Sequence, residues 1–111
     1  MDNLNKYREI ITQVLAEYAK LPYAYGDLER RFVISEDHNT YLLLTLGWQQ
    51  DQRVHGCLIH VEIKNHKIWI QRDGTEDGIT DELVAAGIPK KEIVLAFHPP
   101  EVRQYTEFAV S

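Results

Sequence analysis

Three residues in the middle of the chain have the types and order of a metal-dependent nuclease site: Asp51, Glu62 and Lys64. In such a site carboxylates hold a divalent cation and a lysine helps to activate water. Glu62-Ile63-Lys64 supplies the acidic-x-Lys step, with Asp51 upstream. The same step has a plainer source. Residues two apart on a strand share one face, a solvated hairpin carries acids and lysines there, and patterns this short often match by chance. The histidines His38, His55, His60, His66 and His98 include no pair four apart on a helix, and Cys57 is the only cysteine, so there is no zinc pattern. By parity, His55 and His60 fall on opposite faces of one strand. Cys57 has no partner for an internal disulfide and no evident neighbouring cation to lower its pKa, so it reads as a small buried hydrophobe. Asp73, Glu76, Asp77, Asp81 and Glu82 lack the alternating spacing of an EF-hand loop and suit the start of a helix. No phosphate-cradling glycine loop or Ser-His-Asp grouping stands out. The residues therefore assign no catalytic group, no metal and no cofactor.

The segment with the strongest claim to interaction is His98-Pro99-Pro100-Glu101-Val102-Arg103-Gln104-Tyr105. His98, Pro99, Pro100, Arg103 and Tyr105 form the candidate partner-binding set. Two prolines stiffen the backbone, tyrosine offers a large contact area at low entropy cost, and arginine offers a rigid fork of donors. The competing reading is C-terminal packing, with Tyr105 and Phe108 closing the core. Trp48 and Trp69 suit the core or a sheet edge better than a ligand platform.

The elements that must position these residues are well punctuated. Leu4, Tyr7, Ile10, Ile11, Val14, Leu15 and Tyr18 fall on one helical face, which predicts a helix over Leu4 to Lys20. Asp2 or Asn3 is available to cap its start, and Pro22 to stop it. Four strands follow as an antiparallel meander: Arg30 to Glu36, Thr40 to Gln50, Val54 to Lys64 and Lys67 to Arg72. Asp37-His38-Asn39, Gln50-Asp51-Gln52 and Asn65-His66 turn the chain between them. In the third strand Cys57, Ile59, Val61 and Ile63 alternate onto one face. Asp77 suits the cap of a second helix whose Leu83 and Val84 face the core and which Gly87 ends. Pro89 to Glu92 makes a further turn. Ile93 to Phe97 is apolar throughout, as in a buried strand or core segment, and a proline at its end opens a final helical turn through Arg103. The fold class is α+β: an N-terminal helix on a four-stranded antiparallel meander, then a second helix, a short buried strand and a C-terminal helical turn.

The size bounds this to one domain, residues 1–111, with a real core. At 44% hydrophobic and 26% charged the chain is globular in composition. No apolar run approaches the roughly 20 residues that span a bilayer, and no signal peptide is evident, which leads to a cytoplasmic protein. The formal net charge of −5 is local: from residue 73 onward eight acids face three bases, while residues 1–72 hold nine of each. Such a balance disfavours direct, sequence-independent nucleic-acid binding, which needs clustered lysine and arginine.

Three blocks, in order and spacing, resemble a known family. They are Gly56-Cys-Leu-Ile-His-Val-Glu-Ile-Lys-Asn-His-Lys-Ile-Trp-Ile-Gln-Arg-Asp-Gly-Thr-Glu, Glu82-Leu-Val-Ala-Ala-Gly-Ile-Pro-Lys, and Ile93-Val-Leu-Ala-Phe-His-Pro-Pro-Glu-Val-Arg-Gln-Tyr-Thr-Glu-Phe-Ala. Together with Gly47-Trp48 and the Tyr7-Arg8 helix they are similar to XisI, the cyanobacterial fdxN-element excision controlling factor. The resemblance covers nearly the whole chain. It implies an accessory role in programmed DNA rearrangement during heterocyst differentiation. The recombinase is a separate protein, and a second accessory protein, XisH, acts alongside. No family catalytic residues carry over. The expectation is control of element excision through contact with an XisH-like partner, with DNA and recombinase approached indirectly. The alternatives are the Asp51, Glu62, Lys64 nuclease and a small-ligand-binding module. A homodimer through an exposed sheet edge is also open to the chain.

Overall fold

The structure, a computed structural model, describes residues 4–20, 27–75 and 78–111. The element order is α1 (Leu4–Lys20), β1 (Asp27–Ile34), β2 (Thr40–Gln49), β3 (Gln52–Lys64), β4 (Lys67–Asp73), α2 (Thr80–Ala86), a 3₁₀ turn (Lys90–Glu92), β5 (Ile93–Leu95) and α3 (Pro100–Arg103). The expected α+β architecture is therefore present. The proposed caps Asp2, Asn3 and Asp77 and the stop at Pro22 lie outside the described residues.

The first four strands pair in chain order as an antiparallel meander, and β5 extends the sheet by pairing parallel to β4. A parallel neighbour needs a crossover, and α2 with the 3₁₀ turn supplies it. Gly87 ends α2 as expected: with φ 124° it lets its own N–H reach Val84 O (3.0 Å) and the Ile88 N–H reach Leu83 O (3.1 Å). This paired closure satisfies two end carbonyls. The start of α2 is held from a distance. Asp73 at the end of β4 accepts from the Ile79 N–H at 2.8 Å and from the Thr75 hydroxyl at 3.0 Å.

One continuous core lies between the sheet and the helices. Ile11 and Leu15 of α1 and Leu83 of α2 meet Tyr41, Leu43, Ile59, Val61, Ile68, Ile70 and Ile93, all with no measurable exposure (0%). Tyr41 keeps its hydroxyl satisfied by donating to His38 O at 2.7 Å. Burial pushes its pKa up, the Arg8 charge opposing.

Simple alternation fails at one place in β3. Leu43 pairs with Ile59 while Leu44 pairs with Cys57, so Leu58 is an extra residue. Such a bulge reverses the facing of everything before it. Two expectations are corrected by it. Cys57 lies on the outer face beside Leu44, away from Ile59, Val61 and Ile63. His55 and His60 share that outer face, opposite Leu46 and Leu42. A second shift, between His60 and Val61 where β3 pairs with β4, sets Gln71 as the extra residue there.

The β3–β4 hairpin turns on Asn65 (φ 53°) and His66 (φ 64°), both left-handed. A two-residue turn of this kind matches the strand twist but favours glycine at its second position. His66→Gly is expected to stabilise the fold by about 0.5–1 kcal/mol, read as a higher urea midpoint. A lower midpoint would show that the histidine makes a contact worth more than its backbone strain.

Candidate functional site

The chain leaves β5 with the Ala96 N–H on Ile70 O (2.9 Å) and turns at once, the His98 N–H returning to Leu95 O (3.1 Å). Pro99 is extended (ψ 148°) and Pro100 takes the first helical position, where its missing N–H leaves nothing unsatisfied. After α3 the chain comes back along the free side of β5. The Ala109 N–H donates to Ile93 O at 2.8 Å, and Ala109 bridges Val94 in parallel. Residues 96–111 thus form a strap against β5 and the outer side of β4.

Arg103 holds this strap together. Its Nε donates to His98 O (3.0 Å), its two terminal nitrogens to Ala96 O (3.3 Å) and Val110 O (3.4 Å), and its guanidinium lies 5.7 Å from the centre of the Trp69 ring. Lys90 Nζ adds a 2.6 Å contact with Glu107 and sits 6.0 Å over the Phe108 ring. Their hydrogen bond, with the opposite charge behind it, draws the Glu107 carboxyl below its usual range and lifts the Lys90 amine. Lys67 Nζ reaches Ser111 O at 2.7 Å.

The predicted interaction residues thus take different places. Arg103 points into the strap and positions it. The His98 ring is half-buried against Phe97, with ring centres 4.6 Å apart. Pro99 and Pro100 are exposed, and Tyr105 is 84% exposed. The competing expectation that Tyr105 closes the core does not hold, although Phe108 does pack against it. The strap also displays Phe97, Val102 and Val110. Four of the six large exposed apolar side chains among the described residues lie between 97 and 110. Phe97 was expected inside a buried segment. The strand stops at Leu95 because the chain must turn before the two prolines, and Phe97 is left at the corner.

The nuclease residues do not converge. Asp51 is in the β2–β3 turn and Glu62 lies near the other end of β3, roughly 30 Å or more away at the rise of an extended strand. Glu62 Oε1 lies 3.0 Å from His60 Nε2. That nitrogen nonetheless has no hydrogen-bond partner, so the pair is one of proximity. Lys64 sits 5.1 Å over the Trp69 ring. Among the described residues no three His, Cys, Asp or Glu side chains group as a metal site. The Cys57 thiol donates to Ile59 O (3.1 Å), and burial raises its pKa although Arg72 is near. An open hollow of about 570 Å³ lies between α1 and the β1–β2 turn, beside Asn5, Arg8, Thr12, His38 and Tyr41. Three of the five Arg8 N–H donors there are taken by Asn5 Oδ1 (2.7 Å), Asn39 Oδ1 (3.0 Å) and His38 O (3.3 Å), and the hollow is open, unlike the clefts that bury small ligands.

A family model described as XisI protein matches residues 1–110. The chain belongs to the XisI family. Two solved structures from Anabaena variabilis ATCC 29413 share its fold along their whole length. One is a XisI-like protein, 36% identical with a TM-score of 0.89, covering 97% of this chain and 99% of that one. The other is the fdxN element excision controlling factor XisI, 39% identical with a TM-score of 0.84, covering 99% and 100%. No curated protein shows significant similarity to the chain. No helix among the described residues of this XisI-family chain is long and apolar enough to cross a membrane.

Proposed function

We propose that this chain is a cytoplasmic controlling factor for programmed DNA-element excision, and that it works by binding an XisH-like protein through its C-terminal strap. Membership of the XisI family and 39% identity to an fdxN element excision controlling factor support the excision role. The observation that carries the docking site is the concentration of exposed apolar groups on the strap, with Tyr105 outermost. Aromatic side chains of this kind dominate contact energies. Catalysis and DNA contact fall to the partners. The net charge of −5, gathered from residue 73 onward, suits a basic protein partner better than a phosphate backbone.

The test is a titration of the XisH-like protein from the same source against the wild-type chain and Tyr105→Ala. The expected result is roughly tenfold or greater weakening with an unchanged melting temperature, since the ring is 84% exposed. Full affinity in Tyr105→Ala and in a Val102→Ala, Tyr105→Ala double variant would remove the strap as the docking site. The absence of any complex with the wild-type chain would remove the partner.

A further inference from the structure

Strand β2 is apolar on both faces. Tyr41 and Leu43 fill the core, while Leu42, Leu44 and Leu46 point the other way and are not packed against it. A strand of this kind belongs in a sheet covered on both sides. The Leu58 bulge widens the outer stripe by turning Cys57 next to Leu44, and Val33 (40% exposed) and Trp48 (50% exposed) extend it. α1 and α2 lie on the inner face with the core, and the strap reaches the outer face at Trp69 of β4. Over β1 to β3 the outer stripe is half-buried at Leu42, Leu44 and Leu46 and exposed at Val33 and Trp48, with α1 and α2 on the opposite face.

We infer that this outer face is where two copies of the chain pack sheet against sheet as a two-fold dimer. Charge selects the occupant. A second copy brings a second −5, but that charge lies from residue 73 onward, and residues 1–72 balance to zero. One rim is internally compensated, Glu29 pairing with Arg31 at 2.7 Å on β1, and the other holds His60 3.0 Å from Glu62 on β3. A strongly basic partner would be drawn to the acidic third, whereas a neutral apolar face lets two acidic molecules meet without repulsion. A two-fold axis along β2 lays the β1 rim of one copy over the β3 rim of the other, so the Glu29 carboxylate meets the His55 row. Area agrees. Three strands about 4.8 Å apart, ten residues long at about 3.3 Å each, present on the order of 500 Å² in projection. Side-chain relief brings this toward the roughly 800 Å² of accessible surface per partner that stable dimers bury.

The experiment is sedimentation equilibrium of the purified full chain across micromolar concentrations, with Leu44→Lys and Val33→Lys, each checked for folding by thermal melting. The wild type is expected at twice the 12.9 kDa chain mass. A lysine in the stripe is expected to raise the dimer dissociation constant about 100-fold or more, because it buries an unpaired charge. If Leu44→Lys does not fold, Val33→Lys decides, because its position is already partly exposed. A wild type that stays monomeric at 100 µM (roughly the weak end of specific association) overturns the inference. So does a folded lysine variant that remains a dimer. A monomeric wild type whose stripe is instead needed for the XisH-like partner would assign the face to that protein and overturn it as well.

Discussion

Replacing Gly47 with alanine is expected to cost about 3–5 kcal/mol of folding stability, while the same change at Gly56 leaves stability within about 1 kcal/mol. Both glycines lie in the β2–β3 hairpin, so composition does not distinguish them. The backbone does. Gly47 has φ +142°, a conformation side chains rarely adopt, and a Cβ there would stand 2.0 Å from Asp27 O and 2.9 Å from Leu28 Cα. Those atoms are main chain of the paired strand, since Leu28 is the register partner of Gly47. No rotamer change relieves the overlap; β1 itself must move away. At Gly56 a Cβ meets nothing within 4 Å. Urea unfolding of the two variants measures the contrast. A Gly47→Ala midpoint equal to that of Gly56→Ala would mean that β1 does not run this close to β2. The close approach gives Gly47 a physical role: the glycine admits the neighbouring strand at the end of the hairpin.

What could be read from residues alone follows from where the signal resides. The span of α1 was legible because seven apolar residues at helical spacing leave little freedom. The hairpins were legible because Asn65-His66 and Gln50-Asp51 are turn formers flanked by alternating strands. The facing of Cys57 and His55 was not. Nothing in Gly56-Cys57-Leu58-Ile59 announces that one residue is extra, and a single bulge inverts all parity arguments upstream of it. The parallel docking of β5 was likewise hidden, since three apolar residues suit a strand of either direction. At the candidate site, a proline-stiffened segment after an apolar run followed from composition, which left both display and core packing of Tyr105 open. The inward turn of Arg103 did not follow, because its acceptors are backbone carbonyls, which carry no trace of residue type. Phe97 was missed for the complementary reason: apolar side chains are read as core unless a turn is known to place them outside.

Arg103→Ala is expected to loosen the whole strap, costing about 2–3 kcal/mol and weakening the partner contact along with stability. Ala96, His98 and Val110 all present their carbonyls to this one guanidinium, at 3.3, 3.0 and 3.4 Å. Alanine leaves them to water and removes the cation from the face of Trp69. Lysine does not restore the arrangement, because a single ammonium on a flexible stem cannot reproduce a planar fork directed at three oxygens. The remaining side-chain ties of the strap, Lys90 with Glu107 and Lys67 with Ser111 O, are exposed, and exposed pairs contribute little on their own. Glu107→Ala should therefore keep the strap in place. Amide hydrogen exchange localises the effect. The Ala109 N–H, bonded to Ile93 O at 2.8 Å, should lose protection in Arg103→Ala, while the Ile63 N–H, bonded to Asn39 O at 2.7 Å, keeps it. Unchanged protection at Ala109 would refute Arg103 as the clamp. The comparison with Tyr105→Ala then separates two ways of losing a partner. One variant keeps a folded strap without its contact residue, and the other keeps the contact residue on a strap no longer held in shape.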